Sequence, residues 1–362
     1  MHAIFSIGSN GSGQLGIGHT EDVSVPKQVQ FRPSTPSEPI IQVAAGGNHT
    51  LLLTESGLLY WSGDPASGAC GLATQPDVPL FQELLLGKDG EPPAVHIDSI
   101  AATWEASFAL VRDGQGRKTK LFSFGLGAKG ELASGELMVR TPAVTVVNHF
   151  PPAGTEIVCL TACMGHVVAV LSSGDAYGWG NCRKLQIGHP AAVVTSPRKI
   201  DGIGFKVARA VCTMESTCFF GEPESGNICV LGSDKWALCS NAPAKAPAWA
   251  DVGAGWGSIY ILCRDGSLRA WGRDDHGQLP PQNLPPLKRM AVGSEHVVAL
   301  AEDGDVLSWG WGEHGNCGPK VEQGDVKGRW NVIASARFMP PSCQIYGIGA
   351  GCATSWVYIK SG

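Results

Sequence analysis

The segment Val43 to Gly63 recurs along the chain, and that recurrence restricts the fold more than any other feature. It reads Val43-Ala44-Ala45-Gly46-Gly47-Asn48-His49-Thr50-Leu51-Leu52-Leu53-Thr54-Glu55-Ser56-Gly57-Leu58-Leu59-Tyr60-Trp61-Ser62-Gly63. A second copy opens Ala291-Val292-Gly293-Ser294-Glu295-His296 and closes Ser308-Trp309-Gly310. A third opens Cys163-Met164-Gly165-His166 and closes Trp179-Gly180, and degenerate copies end at Gly125, Gly232 and Gly272. Such self-similarity marks a repeat architecture, in which each unit buries its apolar face only against its neighbours.

Each copy places two short β runs around a turn. The turn glycine and the glycine after the aromatic residue are six apart in five copies: Gly57/Gly63, Gly174/Gly180, Gly226/Gly232, Gly266/Gly272 and Gly304/Gly310. Acid-glycine turns such as Asp265-Gly266 and Asp303-Gly304 are hairpin signals, since glycine enters positive φ without steric cost. A second punctuation follows the aromatic, as in Gly8-x4-Gly13-Gln14-Leu15, Gly272-x4-Gly277-Gln278-Leu279 and Gly310-x4-Gly315-Asn316-Cys317. Seven glycines occupy this repeat position, following an aromatic in most copies, at 8, 63, 125, 180, 232, 272 and 310.

The two ends of the chain are halves of one repeat. Residues Gly351 to Gly362 align with Gly46 to Gly57, and Ala3 to Gly8 align with Leu58 to Gly63. An open array would leave both halves with unpaired edges, whereas a ring pairs them. The expected fold is therefore all-β: a single seven-bladed β-propeller over residues 1–362, closed by pairing of the amino- and carboxy-terminal half-repeats. Two Pro-rich segments, Thr74 to Asp98 and Gly135 to Gly154, read as insertions between blades.

Composition agrees. Of 362 residues, 48 are Gly and 24 are Pro, 43% are hydrophobic and 16% charged, which excludes both a disordered chain and a mainly helical one. The net charge of -5 supplies no concentrated basic face, so direct nucleic-acid binding is not expected. The longest basic cluster, Arg117-Lys118-Thr119-Lys120, reads as a solvated loop. No window suits a membrane span, and the start lacks the pattern of a signal peptide. The 12 Cys include no Cys-x-x-Cys pair, and several (Cys159, Cys218, Cys229, Cys263) lie in apolar runs. Reduced thiols packed as small hydrophobes, in a cytoplasmic or nuclear protein, are the expectation.

These residues resemble a known family. Gly-Gly-x-His-Thr, then Trp-Gly, then Gly-Gln-Leu-Gly is the pattern of the regulator-of-chromosome-condensation repeat, whose founding member is a seven-bladed propeller that exchanges guanine nucleotide on a small GTPase. The resemblance covers essentially the whole chain. Within it, Trp309-Gly310-Trp311-Gly312-Glu313-His314-Gly315-Asn316-Cys317-Gly318 and Ser9-Asn10-Gly11-Ser12-Gly13-Gln14-Leu15-Gly16-Ile17-Gly18-His19-Thr20-Glu21-Asp22 are similar to the fungal killer-toxin-insensitivity propellers.

The repeated His49, His166 and His296 occupy one repeat position in different blades, so a ring keeps them apart. A repeat-structural role, with a ring nitrogen bonding neighbouring backbone, is expected in place of a metal or catalytic one. Trp61, Trp179, Trp271 and Trp309 read as blade-packing residues. Cys159 and Cys163 have zinc-like spacing without a second pair. No catalytic residues, metal site or cofactor are expected, since no nucleophile elbow, His-Glu-x-x-His or phosphate-cradling motif occurs.

Departures from the repeat are the better guide to function. The slot of Gly47 holds Trp104 in one copy and Trp256 in another. Such side chains either project as binding anchors or pack over a degenerate blade. Four residues past the aromatic-following glycine the copies carry Ser12, Ser67, Lys129, Lys184, Trp236, His276 and His314 in order. The last three are consecutive, and Asp234, Asp274, Asp275, Glu313 and Trp311 accompany them. Equivalent loops emerge on one face of a propeller, so these residues predict one aromatic and acidic sector, either a docking site or ordinary solvated loops.

The resemblance to the toxin-insensitivity propellers implies a non-enzymatic scaffold. It would form a heterodimer with a small Cys-rich zinc-binding electron carrier, and through it support Elongator in tRNA wobble-uridine modification and the radical enzyme of the first step of diphthamide synthesis. The resemblance to the founding member implies the alternative, guanine-nucleotide exchange on a small GTPase.

Overall fold

Every repeat folds as an antiparallel sheet, because its apolar runs are four to eight residues long and are bounded by glycine turns. The structure, a computed structural model, describes residues 2–71, 78–86, 96–135, 139–141 and 144–362. Among the described residues seven sheets are present, one per expected blade. From the inside outwards, blade 1 is Ile40–Ala45, His49–Thr54, Leu59–Gly63 and Phe81–Glu83, with Phe31–Arg32 added in parallel. Blade 2 is Ile97–Ala102, Ala106–Arg112, Lys118–Gly125 and Thr145–Val146. Blade 3 is Ile157–Cys163, His166–Leu171, Ala176–Asn181 and Val193–Lys199. Blade 4 (Arg209–Cys212, Ser216–Phe220, Ile228–Gly232) and blade 5 (Trp249–Ala254, Ser258–Cys263, Leu268–Gly272) have three strands each. Blade 6 is Leu287–Val292, His296–Ala301, Asp305–Trp311 and Asp325–Ser335.

Blade 7 takes Cys343–Ala350 and Thr354–Ser361 from one end of the chain and His2–Gly8 and Val23–Gln28 from the other. The ends pair antiparallel, from His2 opposite Lys360 to Gly8 opposite Thr354. The ring is closed as the half-repeats predict.

One steric fact accounts for the seven recurrent glycines. At Gly63, φ is 117°, and a Cβ would lie 2.3 Å from the carbonyl oxygen of Asn48 in the turn between the two inner strands. At Gly310, φ is 103° and the same contact, to the oxygen of Glu295, would be 2.6 Å. Any larger residue would push that turn away, and the turn faces the ring axis.

The core lies between blades. Trp179, Trp309 and Trp61 are buried, and each blade-packing indole nitrogen of blades 3, 5 and 6 donates to the preceding blade: Trp179 to Glu131 O (2.8 Å), Trp271 to Leu238 O (2.9 Å) and Trp309 to Gln278 O (3.0 Å). All three acceptors stand six residues past the aromatic-following glycine, so the repeat register itself positions the bond. The three histidines also stitch blades, through hydroxyls of the next blade, and His296 bonds the Thr354 backbone as well. Nε2 of His49 is 2.9 Å from Ser107 Oγ, that of His166 3.0 Å from Thr217 Oγ1 and that of His296 2.9 Å from Ser355 Oγ. Ser107 and Ser355 donate onward to the carbonyls of Ala69 and Asn316, so their histidines donate. Burial holds all three imidazoles down at about 4, hence neutral.

The two Pro-rich segments differ from expectation. Residues 74–77 and 87–95 of the first, and 136–138 and 142–143 of the second, lie outside the described residues. The described remainder contains Phe81–Glu83 and Thr145–Val146, the fourth strands of blades 1 and 2. Each segment therefore contributes a blade strand in addition to connecting chain. The repeat legible in sequence ends at the aromatic-glycine pair, whereas the blade continues for one more strand.

Candidate interaction face

The turn between the two inner strands and the loop after the third strand emerge at the same end of each blade, since Gly63 pairs with His49 at the strand ends. Both departures noted above, the bulky residues in the Gly47 slot and the aromatic loop positions, thus share one face.

Around the ring axis, backbone bonds tie the inner turns of successive blades together. Gly47 N donates to Trp104 O (2.9 Å), Trp104 N to Met164 O (3.0 Å), Met214 N to Trp256 O (3.0 Å), Trp256 N to Ser294 O (2.7 Å) and Ser294 N to Gly351 O (3.1 Å). This ring frames a central channel holding a cavity of about 240 Å³, lined by inner-strand residues of all seven blades. Fixed backbones aim the slot's side chains over the channel mouth. The rings of Trp104 and Trp256 meet there at 5.9 Å between centroids, tilted by 50°. Such aromatic pairs contribute about 0.5–1.5 kcal/mol beyond area burial. Trp104 nevertheless keeps 37% of its surface exposed, so it both packs and projects. Gly47 completes the arrangement: a Cβ there would sit 2.5 Å from Cε2 of Trp104. Met164 and Met214 fill the same slot in blades 3 and 4 and line the same cavities. Sequence reasoning passed over them, although the alignment that singled out the two tryptophans contains them.

Trp236 stands beside this mouth. It lines a cleft with Met214, Trp256 and Arg273, and is 42% exposed. The Arg273 guanidinium lies over its ring at 5.2 Å from the centroid and Lys235 Nζ at 5.3 Å, an arrangement the ring quadrupole favours. Its backbone has φ 63°, in the left-handed region, where a bulky side chain is uncommon and costs roughly 1–2 kcal/mol.

The next two blades extend the aromatic arc. Trp311 stands between His276, at 6.4 Å, and His314, at 5.2 Å and nearly perpendicular. Carboxylates orient both imidazoles: Asp325 lies 3.0 Å from His276 Nδ1, and Asp22 lies 2.6 Å from His314 Nδ1. The His314–Asp22 bond crosses from blade 6 to the loop of blade 7.

The acidic character differs from the sequence expectation. Asp234 Oδ1 accepts from the amides of Ser240 (2.9 Å) and Cys239 (2.8 Å), which hold its carboxyl below the usual range. Asp274 accepts from Leu279 N at 3.0 Å. Despite a burial penalty, bonds from Arg273 and Gln278 hold Asp275 at about 2. Three of the four expected acids therefore cap loops or pair with Arg273, which also reaches Glu295. Glu313 is exposed, as is Glu105 beside Trp104.

Among the described residues no three His, Cys, Asp or Glu side chains converge to hold a metal ion. Enclosure pushes the Cys159 and Cys163 thiols up, which disfavours the thiolate that a metal requires. All twelve cysteines are unpaired.

Comparison with known proteins agrees with the architecture. Profiles of the Regulator of chromosome condensation (RCC1) repeat match residues 2–53 and residues 40–69, 249–278 and 288–316. An RCC1 repeat-containing protein of Schizosaccharomyces pombe is 28% identical over 99% of both chains. The secretion-regulating guanine nucleotide exchange factor of Bos taurus is 27% identical over 76% of this chain and 61% of its own length. Among solved structures, Prp20p from Saccharomyces cerevisiae superposes with a TM-score of 0.79 at 20% identity, covering 100% of this chain and 92% of that one.

Proposed function

We propose that this propeller, parts of which match profiles of the regulator-of-chromosome-condensation repeat, is a non-enzymatic interaction scaffold whose aromatic face docks a small Cys-rich zinc-binding protein. Through that partner it supports Elongator in tRNA wobble-uridine modification and the first step of diphthamide synthesis. One observation carries the docking role: Trp104, Trp256 and Trp236 gather at the channel mouth, and His276, Trp311 and His314 continue the arc on the same face. Exposed tryptophans held on rigid turns are the side chains most enriched among binding anchors, because they bury large area with little loss of rotamer freedom. The partner class rests on the similarity of residues 309–318 and 9–22 to the toxin-insensitivity propellers.

Mixing the purified chain with a recombinant small Cys-rich zinc protein from the same source tests the reading. A stoichiometric complex is expected, weakened about 100-fold or more by joint Trp236→Ala and His314→Ala substitution, the scale of two anchors. Undiminished binding would overturn the role of the face.

The likeness to the Bos taurus exchange factor favours a second reading, nucleotide exchange on a small GTPase. Accelerated release of fluorescent GDP from a GTPase by the chain, abolished by Trp256→Ala, would select it over the first.

A further inference from the structure

Blades 4 and 5 each have three strands, so their third strands, Ile228–Gly232 and Leu268–Gly272, are the outer edges of their sheets among the described residues. In the other blades the same position is covered. There, the carbonyl four residues before the recurrent glycine points outwards and accepts from the fourth strand or the segment flanking it. Leu84 N donates to Leu59 O (2.7 Å), Val147 N to Leu121 O (2.8 Å) and Ile200 N to Ala176 O (2.8 Å). In blade 4, Asn227 O turns inwards to Gly221 N (2.9 Å), which by strand alternation turns the backbone groups of Ile228, Val230 and Gly232 outwards. The connection that follows carries Pro243 and Pro247, and returns to the sheet only at its hairpin end, where Ala246 N donates to Gly226 O (2.8 Å).

Sheet edges in natural proteins are guarded against pairing by proline, by lysine or arginine, or by being very short. The outer strands of this propeller follow the rule. Val23–Gln28 carries Pro26 and Lys27, Val193–Lys199 carries Pro197, Arg198 and Lys199, Asp325–Ser335 carries Lys327 and Arg329, and Thr145–Val146 has two residues. The open edge of blade 5 has exposed Arg269 and is followed by Pro280, Pro281, Pro285 and Pro286. Blade 4 breaks the rule: Ile228-Cys229-Val230-Leu231-Gly232 has neither charge nor proline. None of its five residues is buried, whereas every residue of the equivalent Leu59–Gly63 is. Four residues past its end stands Trp236.

We propose that the edge Ile228–Gly232 is a strand-addition site, and that its occupant is an extended segment of the protein partner docked on the aromatic face. Outward-facing N–H and C=O groups at alternate residues are complementary to an extended main chain, and to no globular surface or small molecule. The added strand runs antiparallel to Ile228–Gly232, as the fourth strands of the other blades do, and enters beside Trp236. This rests on the reading of the face proposed above, and it assigns that partner a second, backbone-mediated contact.

Hydrogen exchange of the full-length chain, free and bound to the recombinant zinc protein, tests it. The peptide spanning 228–232 is expected to exchange about tenfold or more slowly in the complex, because amides that face solvent in the free chain become ladder donors. Val230→Pro removes one outward donor at a position where an edge strand tolerates proline, so the chain is expected to melt normally while binding weakens about tenfold. Unchanged exchange in a complex that Trp236→Ala and His314→Ala still disrupt would overturn strand addition and leave the face reading standing. Slowed exchange in a complex those substitutions do not weaken would support strand addition and overturn the face reading. A zinc protein that forms no complex would overturn both.

Discussion

The indoles of Trp104 in blade 2 and Trp256 in blade 5 meet across the channel mouth at 5.9 Å, although two blades separate them around the ring. Their backbones are fixed by the bonds that tie inner turns together, so contact between the rings reports the geometry of the whole mouth.

That relationship makes Gly47 a sensitive position. Its φ does not require glycine, but a Cβ would overlap the Trp104 ring. Gly47→Ala is expected to displace Trp104 and abolish the exciton signal of the indole pair in near-ultraviolet circular dichroism. Stability should fall by no more than about 1–3 kcal/mol, as for local overpacking. An unaltered spectrum would show that the pair does not depend on the small residue beneath it.

Trp236 trades local stability for projection. Trp236→Asn places a residue suited to left-handed backbone at φ 63°. Thermal melting is expected to be unchanged or raised by a few degrees, a relief of about 1 kcal/mol, while partner binding is lost. A clear drop in melting temperature would mean that the contacts with Arg273 and Lys235 outweigh the backbone strain.

The stitching histidines predict acid lability. His49, His166 and His296 sit near 4 in the folded chain and near the ordinary 6.5 when unfolded. Between those values the unfolded chain binds more protons, so stability is full above about pH 6.5 and declines as pH falls towards 4, by about 1.4 kcal/mol per pH unit per histidine at most. Melting curves from pH 7.5 to 4.5 should show this decline, and His166→Asn should make it shallower while lowering stability at pH 7.5. A melting temperature constant from pH 6.5 to 5 would contradict the assignment.

Blade-packing tryptophans set the stability of the ring. Trp309 is buried and its indole N–H donates to Gln278 of the preceding blade. Trp309→Ala is expected to cost about 3–5 kcal/mol, measured by denaturant unfolding. Trp236→Ala, at an exposed loop, should cost far less, and comparable losses would mean that the two positions are not distinguished by burial.

The fold was largely legible in the sequence because its determinants are local. Gly63 and Gly310 mark places where the next turn leaves no room for Cβ, and the same contact recurs in every blade. The half-repeats at Gly8 and Thr354 foretold closure for the same reason. The loop positions Trp236, His276 and His314 could be named because repeat position dictates which face a residue occupies.

Which groups touch was decided by the tertiary structure. That Trp104 meets Trp256, that His276 approaches Trp311 and that Arg273 reaches Glu295 depend on side chains from different blades. The missing fourth strand of blade 4 belongs to the same class. A residue pattern records turns and burial periodicity within a few residues, whereas pairing, charge neutralisation and open edges arise only when the ring brings distant segments together. Sequence alone thus determined the seven-bladed ring and the face its unusual residues share; their contacts, their charge balance and the unguarded edge came from the closed structure.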